Sequence, residues 1–560
     1  MAVLRVVAGI VAGAVVLGVA ELVAGFTGTD GAPAYAVGAL VVDHTPDGLR
    51  EWAISTFGTN DKAVLFVCMG VVAALVAGAA GMLERTTRPI GSVMFTVFGV
   101  LAAVIGISHV GGVSGMWPAL LGTVAGIVAL RGSTKRIDQV QGASAARVSD
   151  GVSTSEETGA QDRLDATTTG PDALDATTTR TGGQETLDPP TTGDRVARGE
   201  MGRAGRRRVL GGIAATGVLA FGAGLAGRLL SAARGDVTAE RAMVELPRAA
   251  DPLPPLPPEA DLRVPGLTPY LTPNDDFYRI DTALTVPQVS TETWSLRIHG
   301  MVDRELELSW DDLLARTPVE HLVTLACVSN PINGDLIGNA NWLGYRLDEL
   351  LAEAGPLPGA DMVLSHSADG WTAGTPLSAL TDGRDALLAV GMNGAPLPLQ
   401  HGYPARLVVP GLYGYVSATK WVTELEVTRF DRATAYWTRR GWSERGPIKT
   451  GTRIDTPRGR GRIPQGRTVI AGVAWAQHRG VRTVEVRIDD GDWQQARLST
   501  EVTTDTWRQW VYDWDATPGQ HTIRARTTDT TGVPQTAVEQ DVVPDGATGH
   551  PTLTIQVQES

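Results

Sequence analysis

Residues 321–338 read HLVTLACVSNPINGDLIG and hold Cys327, the only cysteine outside the apolar N-terminal region. An apolar, strand-like run leads into the thiol, and a Ser-Asn-Pro turn signal follows it. A lone thiol in that position has several readings. It is a small buried hydrophobe, a nucleophile, a haem thiolate, or a ligand to another soft-binding metal. A nucleophile needs a nearby base and a third orienting group. His321 lies on the same run, but its position there decides nothing.

Outward from this stretch, the chain divides into unlike parts. Its 560 residues exceed what one core serves, so several domains are expected. The net charge of −13 argues against nucleic acid as a partner. Cys68, the other cysteine, sits inside an apolar run, which excludes a disulfide framework. The compartment must therefore be read from topology.

A membrane-spanning helix needs about 20 predominantly apolar residues. Val6–Phe26, Ala63–Leu83, Ile90–Ser108 and Val113–Leu130 qualify, and Val209–Gly227 forms a fifth run apart from them. GAPAYAVGALVV (31–42) is too short to span and is expected at the interface. Arg5, ERTTR (84–88), RGSTKR (131–136) and RAGRRR (203–208) all fall on one side of these spans. The positive-inside tendency makes that side cytoplasmic. Everything after about residue 230 is then expected on the outer face of a multi-pass cell-membrane protein. RRRVLGG before the fifth run reads either as an ordinary positive flank or as a loose twin-arginine export signal.

Residues 137–205 are rich in Thr, Gly, Ala and Asp and carry a tandem repeat, DRLDATTTG then DALDATTTR. Such sequence buries too little apolar area to offset ordering entropy, so disorder is expected. DPLPPLPPEADLRVPGLTPYLTP (251–273) reads as a semi-rigid spacer. TWSLRIHGMVDRELELSWDDLLA then reads as strand, glycine turn, strand and a helix opened by Ser309 or Asp311. Residues 320–430 mix short strands, helices and Gly-Pro turns, an α+β pattern. After about 445 helix signals vanish. RTVIAGVAWA, VRTVEVRID, WRQWVYDWD and HTIRARTTDT alternate apolar and polar residues, which predicts a β-sandwich of immunoglobulin-like size.

The neighbours of Cys327 narrow its chemistry. HGYPARLVVPGLYGYVSATKW (401–421) and FYR (277–279) bring His401, Arg406 and Lys420 with glycine-rich backbone. Arginine grips phosphate bidentately and lysine acts as a point charge, which suits an extended phosphate-bearing ligand. A thiolate facing such a ligand suggests a metal chelated by a pterin phosphate.

LACVSNPINGDLIGNANWLGYRLDELL, MNGAPLPLQHGYPARLVVPG, SATKW, DDFYR and WSLRIHGMV together resemble the sulfite-oxidase-type molybdenum enzymes, over about residues 265–545. The resemblance implies an α+β molybdopterin domain, a dimerisation sandwich and a Mo-molybdopterin cofactor. It makes Cys327 the metal's thiolate ligand. Tyr278 and Arg279 fall at cofactor or substrate contacts, and Thr381 at another pterin contact. His401 and Arg406 match pterin-phosphate contacts. Ser417, Ala418, Thr419 and Lys420 match the cofactor-binding loop. Two departures bear on substrate. CVSNPI carries no arginine after the cysteine, and YWTRRGW puts Trp442 where a tyrosine is expected.

The expected organisation is a four-helix transmembrane region (1–136), a disordered linker (137–205) and a fifth transmembrane helix (206–230). A proline-rich spacer (231–264), a catalytic domain (265–430), an immunoglobulin-like dimerisation domain (431–545) and a tail (546–560) follow. The expected activity is oxygen-atom transfer on a small sulfur-containing substrate such as sulfite. Cys327 and Arg279 are its expected catalytic residues, and Trp442 is expected to help shape the substrate side. Alternatives are a sulfoxide reductase of the same fold, or an extracellular binding module without cofactor. No haem-attachment motif occurs, so a separate electron carrier, a cytochrome c or a quinone-linked system, is expected.

Overall fold

The structure is a computed structural model. It describes residues 2–27, 31–57, 61–110, 112–164, 192–250, 252–459 and 461–559. Two compact units emerge, Met1–Arg234 and Gly235–Ser560.

The first unit is helical: α1 (Ala2–Thr27), α2 (Pro33–His44), α3 (Asp47–Phe57), α4 (Asp61–Leu83), α5 (Ile90–Val110), α6 (Trp117–Leu164) and α7 (Thr192–Gly235). Among the described residues, five helices are long and apolar enough to cross a membrane, at the five places the sequence indicates. Helix α1 is central, and small residues set its contacts. A Cβ on Gly9 would lie 2.1 Å from Ala77 O of α4, one on Gly122 of α6 2.4 Å from Val16 O, and one on Gly18 2.2 Å from Ala220 O of α7. Only glycine permits such backbone approach, as in small-residue packing between membrane helices.

One end of this unit carries a polar network. Arg5 pairs with Asp138 and donates to Glu84 O at 2.9 Å and Gln141 Oε1 at 2.8 Å. The Glu84 carboxylate accepts from Ser92 N and Ser92 Oγ, both at 2.8 Å.

The linker differs from expectation at both ends. Helix α6 continues to Leu164 and α7 begins at Thr192, while 165–191 lies outside the described residues. A helix satisfies its backbone hydrogen bonds internally and needs no buried face to do so, so poor apolar content does not by itself exclude one.

In the second unit a short helix, α8 (Thr238–Met243), precedes the proline-rich stretch. That stretch, expected as a semi-rigid spacer, is packed as a belt against the rest of the unit. Ala250 N donates to Pro318 O (3.1 Å), Leu262 N to Gln509 Oε1 (2.7 Å) and Tyr270 Oη to Thr506 Oγ1 (2.9 Å). Backbone N–H groups left between the prolines, such as those of Leu262 and Thr272, find partners elsewhere in the unit.

Two sheets build the α+β part. The first contains β1 (Ser295–Gly300) and β2 (Leu306–Ser309), followed by the short helix α9 (Trp310–Leu314). Ser309 is the cap, with a reciprocal capping box to Asp312. The second begins with β3 (Val319–Ala326) and β4 (Ile337–Arg346), then α10 (Leu347–Ala354). Strands β5 (Met362–Ser367) and β6 (Thr372–Pro376) return to the first sheet, and α11 (Leu377–Thr381) follows. Next come β7 (Leu387–Met392), β8 (Ala395–Pro396), β9 (Arg406–Val408) and β10 (Val422–Thr428). The sheet orders are β2-β1-β10-β5-β6, with β1 and β10 parallel, and β3-β4-β7-β8, with β9 on β7.

The C-terminal region is β-rich, with no α-helix among its described residues. Strands β11 (Gly451–Thr456), β12 (Arg462–Pro464), β13 (Gly466–Trp475), β14 (Val481–Ile488) and β15 (Gln494–Gln495) come first. Then follow β16 (Arg497–Leu498), β17 (Arg508–Ala516), β18 (Gly519–Asp529) and β19 (Thr552–Gln558). They form two sheets, β11-β13-β17-β16 and β12-β19-β18-β14-β15. Ile470 and Trp510 from one sheet meet Val484, Ile523 and Ile555 from the other in a single core.

Candidate cofactor site

Strand β3 delivers Cys327 at its C-terminal end. The backbone then turns: Cys327 N donates to Leu336 O (2.9 Å), and Asn330 N to Cys327 O (3.1 Å). Burial pushes the Cys327 thiol above its usual range. His321 does not serve as its base. His321 Nε2 lies 3.1 Å from Asp505 Oδ2, and Asp505 Oδ1 lies 3.2 Å from His478 Nδ1.

Arg406 opens β9, which is paired to β7 at Ala389. Its guanidinium is buried, stands 5.0 Å over the Trp342 ring and donates to carbonyls only, including His401 O at 3.1 Å. No carboxylate pairs with it among the described residues. Burial draws its pKa down to about 10, partly offset by Tyr278. A buried charge without a counter-ion is costly unless a ligand supplies one.

A 3₁₀ turn, Leu399–His401, ends at Gly402 with φ +109°. A Cβ there would lie 3.0 Å from Arg406 Cβ and 3.1 Å from Lys420 Cα, so the loop closes on these two residues only with glycine. His401 is buried, packs edge-on against Phe277, and its Nε2 lies 3.2 Å from Asn274 O. Burial, then the charges of Arg406 and Lys420, hold its pKa down to about 3, so the ring is neutral at physiological pH.

Lys420 Nζ and Arg279 Nε each lie 2.8 Å from Asp281 Oδ2, a carboxylate only 3% exposed. Burial lowers Lys420 to about 8, with Asp281 opposing and Arg406 and Arg279 adding to the shift. Tyr278 stacks on Phe277 at 5.2 Å. Burial, then the nearby Cys327, push its hydroxyl far above the usual range.

The structure thus brings Tyr278, Arg279, His401, Arg406 and Lys420 into one cluster beside Cys327. The loop residues take part differently from side-chain ligands. Ser417 Oγ donates to Tyr413 O (2.9 Å), and Thr419 Oγ1 lies 2.6 Å from Ser365 Oγ, both bonds being internal. Ala418 O accepts from Arg406 Nη2 at 3.4 Å. Thr381 is not brought to this cluster. It is exposed at the end of α11, and its hydroxyl donates to Leu377 O in its own helix. Trp442 is a core residue, its ring 5.8 Å from Tyr415 and 6.1 Å from Trp437. Motif register fixes both positions but carries no side-chain direction.

Sequence reasoning missed Asp281, although its spacing two residues past Arg279 is a charge pattern. It also missed Tyr413. That residue lines a cavity of about 370 Å³ whose wall includes Ala326, Asn330, Lys449, Trp475 and Gln535. Lys449, the one cation in that wall among the described residues, is held by Asp545 Oδ1 and Gly546 O, both at 2.8 Å. Burial pushes the Tyr413 hydroxyl up to about 12, with Asp545 and Cys327 adding to the rise.

A soft thiol beside three cations and one carboxylate fits an anionic, metal-chelating organic cofactor. Fold and site together define a molybdopterin-binding domain of an oxidoreductase. The family model described as "Oxidoreductase molybdopterin binding domain" matches residues 283–437. The chain belongs to this family, in its sulfite-oxidase-type branch, whose cofactor is Mo-molybdopterin. The uncharacterized oxidoreductase YuiH of Bacillus subtilis is 33% identical over 153 residues, covering 27% of this chain and 74% of that protein. Mitochondrial sulfite oxidase of Homo sapiens is 30% identical over 300 residues, covering 45% of this chain and 54% of that protein. Sulfite oxidase of Gallus gallus is 30% identical and is covered over 59% of its length, so the chain spans little more than half of these oxidases. The sulfane dehydrogenase SoxCD of Paracoccus pantotrophus superposes with a TM-score of 0.46 at 22% identity, over 56% of this chain and 93% of that one.

Proposed function

We propose that the chain is a membrane-anchored molybdenum oxidoreductase that moves an oxygen atom to or from a small sulfur-containing substrate, with sulfite as the type case. The observation that supports this reading most is Arg406, a buried guanidinium with no carboxylate partner among the described residues, close to Tyr278, which in turn lies close to the Cys327 thiol. Cys327 would hold the metal. Arg406, Lys420 and Arg279 would grip the pterin phosphate, with neutral His401 packed behind them and the backbone of 417–419 alongside. Asp281 keeps Lys420 and Arg279 from repelling each other. When bound, the cofactor supplies two-electron oxygen-atom-transfer chemistry; the protein holds it and shields it from water.

The positive-inside tendency supports a cytoplasmic N-terminus and an extracytoplasmic catalytic region at about 265–430. The two C-terminal sheets suit an immunoglobulin-like sandwich at about 431–545, a surface for a homodimer. Electrons would pass to a separate carrier, a cytochrome c or a quinone-linked system.

The cavity beside the cysteine loop favours a second reading, reduction of an uncharged S-oxide. Its one cation is already paired to Asp545, which makes it a weak trap for a free anion.

Metal analysis of the purified full-length protein tests the main reading, with molybdenum and pterin in equal amounts expected. Arg406→Ala should lower that occupancy at least tenfold, since hydrogen bonds to charged groups are each worth roughly 1.5–3 kcal/mol. A metal-free, pterin-free wild-type protein would leave a cofactor-less binding module instead. Sulfite-dependent cytochrome c reduction, set against sulfoxide-dependent oxidation of reduced viologen dye, separates the two substrates.

A further inference from the structure

The segment that follows the fifth apolar helix is bound tightly to the cofactor loop. That helix's apolar window ends at Ser231. Val237, a few residues on, is buried in one cluster with Phe277, Trp342, Tyr403 and Val408. Glu240 Oε1 accepts from Tyr403 Oη (2.9 Å), Thr291 N (2.7 Å) and Thr291 Oγ1 (2.8 Å). Arg241 donates to two carbonyls of the same loop, Leu397 O at 2.6 Å and Pro396 O at 2.5 Å.

The bonds to Tyr403, Leu397 and Pro396 converge on 396–403, while Thr291 holds Glu240 from the other side. That loop supplies His401, the Gly402 turn against Arg406 and Lys420, and Gln400 O, which accepts from Lys420 Nζ at 3.2 Å. Tyr403 itself is only 1% exposed. Its hydroxyl has Glu240 as its acceptor, and a buried donor left without one costs about 1–3 kcal/mol. Burial would raise the Glu240 carboxyl, but hydrogen bonds from Thr291, Ser290 and Tyr403 together draw it below the usual range.

We propose that Glu240 is a positioning residue for the cofactor, acting through Tyr403 on the loop that carries His401 and Gly402. Arg241 braces the loop's other end. The membrane leash is thereby part of the cofactor site's scaffold, and cofactor retention is coupled to how the leash is seated. The inference rests on the reading of 399–420 as the pterin-phosphate site.

The test uses full-length protein in detergent and measures pterin release by fluorescence, molybdenum content and thermal unfolding. Glu240→Ala should release the pterin about tenfold faster. Glu240→Gln, whose amide oxygen still accepts from Tyr403, should stay within about twofold of wild type. Tyr403→Phe should speed release as well, and the double variant E240A/Y403F should be no worse than the faster single one, the signature of one pathway. Wild-type release rates in E240A and Y403F would overturn the proposal, as would effects that add in full. A purely structural role would lower the unfolding temperature of the cofactor-free protein and leave release at wild-type rates. If E240A does not fold, Y403F and E240Q decide. A wild-type protein that binds no pterin would instead overturn the functional reading, and this inference with it.

Discussion

Lys420 Nζ lies 2.8 Å from Asp281 Oδ2 across 139 residues of sequence, and the same oxygen takes Arg279 Nε. One buried carboxylate thus holds two cations side by side, while a third, the buried Arg406, has no carboxylate partner among the described residues.

Asp281→Asn should therefore destabilise the cofactor-free protein by about 3 kcal/mol, the scale of breaking a buried pair by removing one partner. Inorganic pyrophosphate should restore much of the loss by supplying the missing negative charge. Urea melts with and without pyrophosphate measure both effects. An unchanged midpoint would show that the two cations do not depend on Asp281.

The depressed Lys420 gives a pH signature. Its folded-state value, about 8, lies below the usual 10.5, so between these limits the unfolded chain binds more protons. Stability of the cofactor-free protein should rise with pH across that window, its penalty being fully present below pH 8. Pyrophosphate affinity should fall over the same window as the ammonium is lost. Lys420→Met should flatten both slopes. His401, held down to about 3 against the usual 6.5, should give its own rise in stability between those two values, below the Lys420 window.

Cys327→Ser should abolish turnover while leaving the unfolding temperature within a few degrees of wild type, because the side chains are nearly isosteric. X-ray absorption of any residual metal should lack one sulfur scatterer. A fully active, metallated serine variant would remove the thiol from the ligand set.

In the helical unit, Gly18→Val should separate α1 from α7, since its first added carbon would already stand 2.2 Å from Ala220 O. Loss of thermal stability in detergent is the expected result. Gly211→Ala, with no atom within 4 Å of an added Cβ, should leave it unchanged.

The sequence alone determined the elements whose signals are local. Five apolar runs have the length a bilayer requires, and alternating strands end where glycine and proline end them. Ser309 caps its helix three residues before its partner, Asp312. The lone thiol after β3 and the basic residues of 401–421 were likewise legible, because motif order is a property of the chain. Tertiary structure alone decided how those charges are used. That Lys420 joins Arg279 on Asp281, and that Glu240 reaches Tyr403, depends on residues more than a hundred positions apart, and the same packing leaves Arg406 without a carboxylate among the described residues. It also turned the proline-rich stretch into a belt, sent Thr381 to the surface and packed Trp442 into the core. Periodicity reports which face of an element is apolar, and says nothing of which distant side chain will meet it. That is settled by burial, where a charge must find a partner or a ligand.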